Sequence, residues 1–468
     1  MASSRRDLAV RASVDQGLLS PAEPVVALLD TAGIRASAAA LTSAFAAVTD
    51  APVLHAFAVK ACPLVPVLRL LHEAGLGAEV ASPGELALAR AAGIPAARTV
   101  LDSPAKTPDE LRQALALGIA VNADNLQELA RLDVLVAAAP TASPLGIRVN
   151  PQIGAGSIGA LSTATATSKF GVALRDEGAR KALVQACLER PWLTRLHTHT
   201  GSQGVPLALM AEGVGEAYAL AEEINHAAGR RQIDTLDIGG GLPVDFHSDE
   251  EGPRYAEYAR LLADTVPGLF DGRYGLVTEF GRSLLAKHGT VLARVEYTKT
   301  SGGRPIAVTH AGVQVATRTV YAPEAWPLRV LAYDSGGRPR TGDVTVQDVA
   351  GPACFAGDLL ATGRELPLLH PGDVVAVPDT GAYYFAHPYA YNSLPRPGVH
   401  GFTVTEKDGG GGDSGAGDGA GGHGGGAGDG DGGSDGDGIV TFTTVREPQT
   451  LAEIVAESGG AHADALVR

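Results

Sequence analysis

Cysteine is nearly absent: Cys62, Cys187 and Cys354 are the only three in a chain of 468 residues. An odd, widely spaced set excludes a disulfide framework and points to a reducing, cytoplasmic compartment. No apolar run approaches the ~18 residues of a membrane span. The two early arginines are followed by no apolar segment of the secretory kind. Formal net charge is -15, yet seven of those charges are aspartates in residues 408–438, a stretch without Lys or Arg. The mildly acidic remainder offers no electrostatic footprint for nucleic acid. Lysine is scarce at the start as well, for none precedes Lys60 and the next is Lys106.

Between residues 50 and 285 a strand-then-helix pattern recurs eight times. The strand candidates are 53–61, 77–82, 99–103, 119–123, 145–150, 193–201, 235–239 and 275–280. Several are continuous apolar runs, as expected where helices cover both faces. Pro63 and Pro108 suit first-turn helix positions, and Gly75, Gly93 and Gly118 suit positions just past helix ends. Eight consecutive units predict a (β/α)8 barrel over residues 48–290 rather than an open doubly wound sheet.

After residue 290 short β-like pieces predict a second, mainly β domain over 291–468. They lie at 290–298, 304–309, 344–349, 373–377, 400–405 and 439–445. Residues 1–47 are expected to pack on that domain, with a strand over 24–29 and a helix over 37–47 capped by Ser37. The segment 408–438 holds 18 glycines and almost nothing apolar. It cannot offset its ordering entropy by burial and reads as a disordered loop inflating a hairpin turn. Its aspartates do not have the spacing of a calcium loop.

Polar residues cluster where barrel strands end, which is where the active sites of such barrels are built. Lys60 closes the first strand, Glu79 and Ser82 lie on the second, and Asn150 closes the fifth. His197 and His199 share a face of the sixth, Gly239–Gly241 follow the seventh, and Glu279 and Arg282 follow the eighth. A lysine closing a buried apolar run needs a partner, or it forms a Schiff base with an aldehyde cofactor such as pyridoxal phosphate. The glycine turn LDIGGGLP exposes backbone N–H groups to a phosphate, with Pro243 placed to begin a helix behind it. It lacks the spacing of a dinucleotide loop. An H-x-H pair also occurs in metal sites of barrel hydrolases. No further ligands stand at other strand ends, so no metal is expected; His199 suits a ring lying on a cofactor, and His197 a core histidine. Glu279 beside a pyridine nitrogen would keep it protonated and the ring a strong electron sink. Its simpler reading is a salt bridge to Arg282.

Together these stretches resemble the pyridoxal-phosphate-dependent decarboxylases of diaminopimelate, ornithine and arginine. The likeness is ordered along nearly the whole chain. It runs through AVKAC, EVASPGEL, IRVNP, SKFGV, LHTHTGSQ, LDIGGG, TEFGR, GPACFAGD, GDVVAVPDTGAYYF and YNSLPRP. The resemblance implies that Lys60 carries pyridoxal 5'-phosphate, that His199 stacks on its ring and that Glu279 faces its nitrogen. Ser202, Gly239, Gly240, Gly241 and Tyr383 would hold the phosphate, with Ser82 nearby and Arg282 at phosphate or substrate carboxylate. Cys354 would reprotonate the α-carbon from the partner subunit of a homodimer, and Lys169 and Asp358 would pair across the subunits.

Three departures bear on the substrate. Phe355 follows Cys354 where the family usually has an acid that reads the far ammonium of a diamino acid. A phenyl ring cannot neutralise a buried ammonium. Phe280 replaces a usual proline, and the family's arginine–tyrosine pair for substrate carboxylate corresponds to the more closely spaced Arg318 and Tyr321. The expected activity is decarboxylation of an amino acid that is not a standard diamino acid. The alternatives are a racemase or epimerase using the same cofactor, or a cofactor-binding homologue without turnover.

Overall fold

The computed structural model describes residues 2–159, 162–250, 252, 254–406 and 438–467. Eight parallel strands form its first unit: β1 (Val53–Ala58), β2 (Gly77–Val80), β3 (Thr99–Asp102), β4 (Ala120–Ala123), β5 (Leu145–Asn150), β6 (Leu193–Thr198), β7 (Thr235–Asp237) and β8 (Gly275–Thr278). Each pairs with the next, and β8 returns to pair with β1, so the sheet closes into the expected (β/α)8 barrel. Every residue of β2, β3, β4 and β5 is buried. That explains the unbroken apolar runs, since helices cover the outside and side chains fill the inside.

Local chemistry sets the helix ends. Thr107 and Glu110 form a reciprocal capping box at the start of helix Pro108–Leu117, and Gly118 ends it at φ 75°. Gly75 and Gly93 likewise take positive φ. Pro63 lies ahead of its helix, Val65–Glu73, where Pro66 takes the first-turn position instead.

The N-terminal segment divides between the two units. Val25–Asp30 joins the second sheet, antiparallel to Gly289–Ser301 and parallel to Gly398–Glu406. The next helix is Thr31–Ala46, and Asp30 caps it by accepting from the Gly33 N–H. Ser37 therefore lies inside the helix, because the earlier aspartate is the better placed acceptor for the orphan N–H groups. This helix packs on the barrel helix Tyr255–Thr265, not on the β sheet alone.

The second sheet runs Leu359–Pro367, Val344–Ala350, Arg304–Thr309, Gly289–Ser301, Val25–Asp30, Gly398–Glu406, Gly438–Arg446. Val374–Pro378 pairs with both Gly289–Ser301 and Leu331–Tyr333. Glu406 stands opposite Gly438 at the end of the antiparallel pair Gly398–Glu406 and Gly438–Arg446. The disordered loop expected at 408–438 falls, Gly438 apart, outside the described residues. One hydrophobic core is continuous from Phe45 and Ile147 in the barrel to Val291 and Val375 in the sheet. Among the described residues no helix is long and apolar enough to cross a membrane.

Candidate active site

A cavity of about 230 Å³ opens at the C-terminal mouth of the barrel. Lys60, His199, Ser202, Gly241, Glu279 and Arg282 line it from the ends of four strands, and Arg318 and Tyr383 close it from the second unit. Lys60 sits in a short 3-10 turn, Val59–Ala61, just beyond β1. Its Nζ meets Glu79 Oε2 at 2.5 Å, and the glutamate is wholly buried in β2. The lysine is 45% accessible because it stands free in the cavity space. Burial alone would lower its pKa, but Glu79 and Glu279 outweigh it and hold the amine charged well above its usual range.

Beyond β6 the His199 ring accepts at Nδ1 from the Gly240 N–H, 3.0 Å away. Burial, then Arg148 and Lys60, keeps it neutral, with a pKa well below the usual histidine value. A neutral ring suits the flat face of a cofactor. The glycine turn is a matter of close approach. A Cβ on Gly240 would lie 2.2 Å from the Glu279 carbonyl oxygen, and one on Gly241, at φ 101°, 1.8 Å from that of Gly201. The Gly239 N–H is already bonded to Asp237 Oδ1 and that of Gly240 to His199. Those two amides are thus not free for a phosphate, and Gly241 is the member of the turn that faces the cavity. Among the described residues no helix begins at Pro243, and the next one is Tyr255–Thr265, so the glycine turn has no helix terminus directly behind it.

Glu279 does not bridge to Arg282. Its Oε2 lies 3.4 Å from His197 Nε2, and on the other side of that ring Nδ1 lies 3.4 Å from Asp102 Oδ1. All three side chains are buried, and their ligand-type atoms fall within 4.8 Å of one another. The histidine stands between the carboxylates with one nitrogen toward each, which is two ion pairs rather than three donors converging on a metal. Glu279 Oε1 has no hydrogen-bond partner among the described residues.

Arg282 and Arg318 share two aromatic walls. Their guanidinium carbons lie 4.8 Å and 4.9 Å from the centroid of Trp326 and 4.4 Å and 4.9 Å from that of Tyr383. Neither has a carboxylate partner among the described residues. Arg282 Nε and Arg318 Nη1 are buried without a hydrogen bond. Burial lowers the pKa of both, Arg282 to about 10. A buried and a half-buried guanidinium group, both without a carboxylate, beside a cavity are built for anions. Tyr383 reaches its place with φ 71°, an uncommon backbone state for a tyrosine, and its N–H donates to the Ala61 carbonyl next to Lys60.

Other expected site residues lie elsewhere. Ser82 caps helix Pro83–Ala91 by accepting from the Glu85 N–H and does not line the cavity. Tyr321 is 57% exposed, stacks on Phe355 at 5.8 Å and bonds Tyr389 through its hydroxyl. Arg318 lines the cavity and Tyr321 does not. Cys354 is exposed and outside its own chain's cavity. Asp358 is buried, and its oxygens accept from the Val313 and Ala353 N–H groups. It folds the cysteine loop instead of presenting a free charge, while Lys169 lies over the Phe170 ring. Trp326 and Asp102 are site features that no motif in the sequence marks, and His197, read there as a core histidine, faces Glu279 and Asp102.

The family model described as pyridoxal-dependent decarboxylase, pyridoxal binding domain, matches residues 32–286. The diaminopimelate decarboxylase of Pseudomonas fluorescens is 34% identical over 349 residues, 74% of this chain and 80% of the relative. The chain belongs to the pyridoxal-dependent decarboxylases. The diaminopimelate decarboxylase of Aquifex aeolicus is 32% identical, over 73% of this chain and 79% of its own. The structure of diaminopimelate decarboxylase from M. jannaschii with L-lysine superposes with TM-score 0.78. It is 23% identical and covers 95% of this chain and 94% of its own, which bears on the fold. The carboxy-lyase class and pyridoxal phosphate, both expected from the motifs, follow from this membership.

The residues present fit that cofactor. A buried carboxylate oxygen without a partner, a neutral histidine, two unneutralised arginines and one reachable lysine face a single cavity. The carboxylate, histidine and lysine suit its ring nitrogen, ring face and aldehyde, and the two arginines suit an anion.

Proposed function

We propose that the protein is a homodimeric, cytoplasmic decarboxylase of an α-amino acid whose side chain ends in a neutral or apolar group. The observation that carries the substrate class is Phe355, which follows Cys354 on the loop and packs on Tyr321 and Tyr391. Among the described residues, the ring contacts of Phe355 are Tyr321 and Tyr391, which bring no carboxylate to a distal ammonium. Among cavity-lining residues Glu279 is the single acid, and Lys60, Arg282 and Arg318 bring positive charge. A diamino substrate would place an unpaired ammonium against these cations, at a cost of several kcal/mol.

Pyridoxal phosphate, when bound, draws off the electron pair left at the α-carbon as the bond to carbon dioxide breaks. In this reading Lys60 Nζ would hold the cofactor covalently with loss of water, His199 would lie against its ring, Glu279 would accept from its ring nitrogen, and Ser202, Gly241 and Tyr383 would take its phosphate. Arg282 and Arg318 orient the substrate carboxylate. The thiol of the partner subunit's Cys354 returns a proton to the α-carbon, giving the amine. The exposure of Cys354 on its own chain supports this assignment.

Cys354→Ala is expected to lower kcat by about 10²–10⁴-fold, as for loss of a positioned proton donor, with KM little changed. Mixing Lys60→Ala and Cys354→Ala subunits should restore part of the activity; no restoration would mean that sites are not shared. In a panel of L- and D-amino acids, carbon dioxide release should favour apolar or neutral side chains over ornithine, lysine and diaminopimelate. Solvent deuterium entering the α-carbon without loss of carbon dioxide would make the enzyme a racemase instead.

A further inference from the structure

The barrel interior holds a charged group that the scheme above does not use. Asp102 ends β3 and His197 lies on β6, both fully enclosed, and together with Glu279 they line up across the barrel axis. Asp102 Oδ1 faces His197 Nδ1 at 3.4 Å, and His197 Nε2 faces Glu279 Oε2 at 3.4 Å. Arg148 Nη1 holds the other Asp102 oxygen at 3.3 Å and stacks on Phe170. We propose that Asp102, acting through His197, is a positioning residue for Glu279, turning its Oε1 toward the ring nitrogen of the cofactor. The proposal deepens the role given to Glu279 above and rests on it.

The reason lies in counting charge. If His197 is protonated and stands alone beside Glu279, the pair is neutral and its hold on a ring proton is weak. If His197 is neutral, one of its nitrogens is a buried lone pair facing a carboxylate. Asp102 keeps the ring charged, with one nitrogen facing each carboxylate at 3.4 Å, while Arg148 pairs with the outer Asp102 oxygen. Glu279 is then pinned at one oxygen and keeps the other, partnerless, for the cofactor.

The other groups facing His197 are compatible with this. Asp237 of β7 adds negative charge but is itself bonded by Asn122 Nδ2 at 3.1 Å. Arg148 is engaged with Asp102, Arg195 lies toward Asp237 and Asp234, and His199 is neutral. Burial depresses the His197 pKa, yet Asp102, then Glu279 and Asp237, raise it well above the ordinary value. A raised folded pKa makes this ring's contribution to stability full below its unfolded value of ~6.5 and lost as pH rises through the folded one. Removing Asp102 should move that loss to lower pH.

The test needs no cofactor. In the apoenzyme the His197 ring resonance, assigned by its loss in His197→Gln, should keep its imidazolium position from about pH 6 to 9. In Asp102→Asn it should titrate within that window. In the holoenzyme Asp102→Asn should lower kcat about 10- to 100-fold with KM little changed, the usual effect of losing the partner that orients a functional side chain. Asp102→Glu should recover part of it. A neutral His197 at pH 7 in the native apoenzyme, or Asp102→Asn with unchanged titration and kcat, overturns the proposal. If Glu279→Gln leaves kcat intact while the His197 titration still moves in Asp102→Asn, the role of Glu279 itself is wrong, and the two failures are told apart.

Discussion

Lys60→Ala is expected to abolish covalent retention of pyridoxal phosphate and to reduce turnover by roughly 10³-fold or more, since cofactor anchor and a proton-handling amine go together. The amine is the one lysine lining the cavity, and its position 2.5 Å from Glu79 gives its proton somewhere to go. Borohydride reduction followed by peptide mapping reads the result directly. The native enzyme should carry the reduced cofactor on the peptide containing residue 60, and the variant should carry none. Label retained on another lysine would overturn the assignment.

The second large effect concerns stability. Phe280 is 1% exposed and packs against Phe45 at 6.4 Å, Tyr255 at 5.4 Å and Tyr258 at 6.1 Å. It thereby ties the loop carrying Glu279 and Arg282 to the helices Thr31–Ala46 and Tyr255–Thr265. Phe280→Ala should cost about 3–5 kcal/mol through lost burial and a residual cavity. Thermal unfolding of the apoenzyme would show a lowered Tm, and cofactor affinity should fall with it because Glu279 loses its anchor. Phe280→Leu should lose much less, as it fills most of the volume. A Tm for Phe280→Ala equal to that of the native chain would mean that the loop is held by other means.

Much of the barrel was legible because burial on both faces leaves long apolar runs, and proline and glycine punctuate the helices between them. Strand ends were less legible. Val59–Ala61 continues the apolar pattern of β1 but turns as a 3-10 segment, and that turn is what lifts Lys60 into the cavity. In the second unit Leu331–Tyr333 is too short to show a period, and Leu359–Pro367 carries glycine and two charges within its run. Of the site, the residues at strand ends could be read from their positions. Tyr321 could not, for nothing in its spacing from Arg318 shows that it packs on Phe355 and Tyr389 instead. Asp102 was hidden for another reason: it looks like an ordinary strand residue, and only closure of the barrel sets it opposite His197. Of the glycine turn, Gly241 lines the cavity, while the amides of Gly239 and Gly240 bond within the protein, which its spacing does not reveal.

The strand Val25–Asp30 lies inside the second sheet, with Val25 opposite Ala293 on one side and Val26 opposite Gly398 on the other. A growing chain exposes this segment early and completes its neighbours only near the end of synthesis. Maturation of the enzyme is therefore governed by distant pairing, which is slow. Until then an unpaired apolar edge invites association with other nascent chains. Expression yield should depend more on what happens to residues 398–406 than on any change within the barrel.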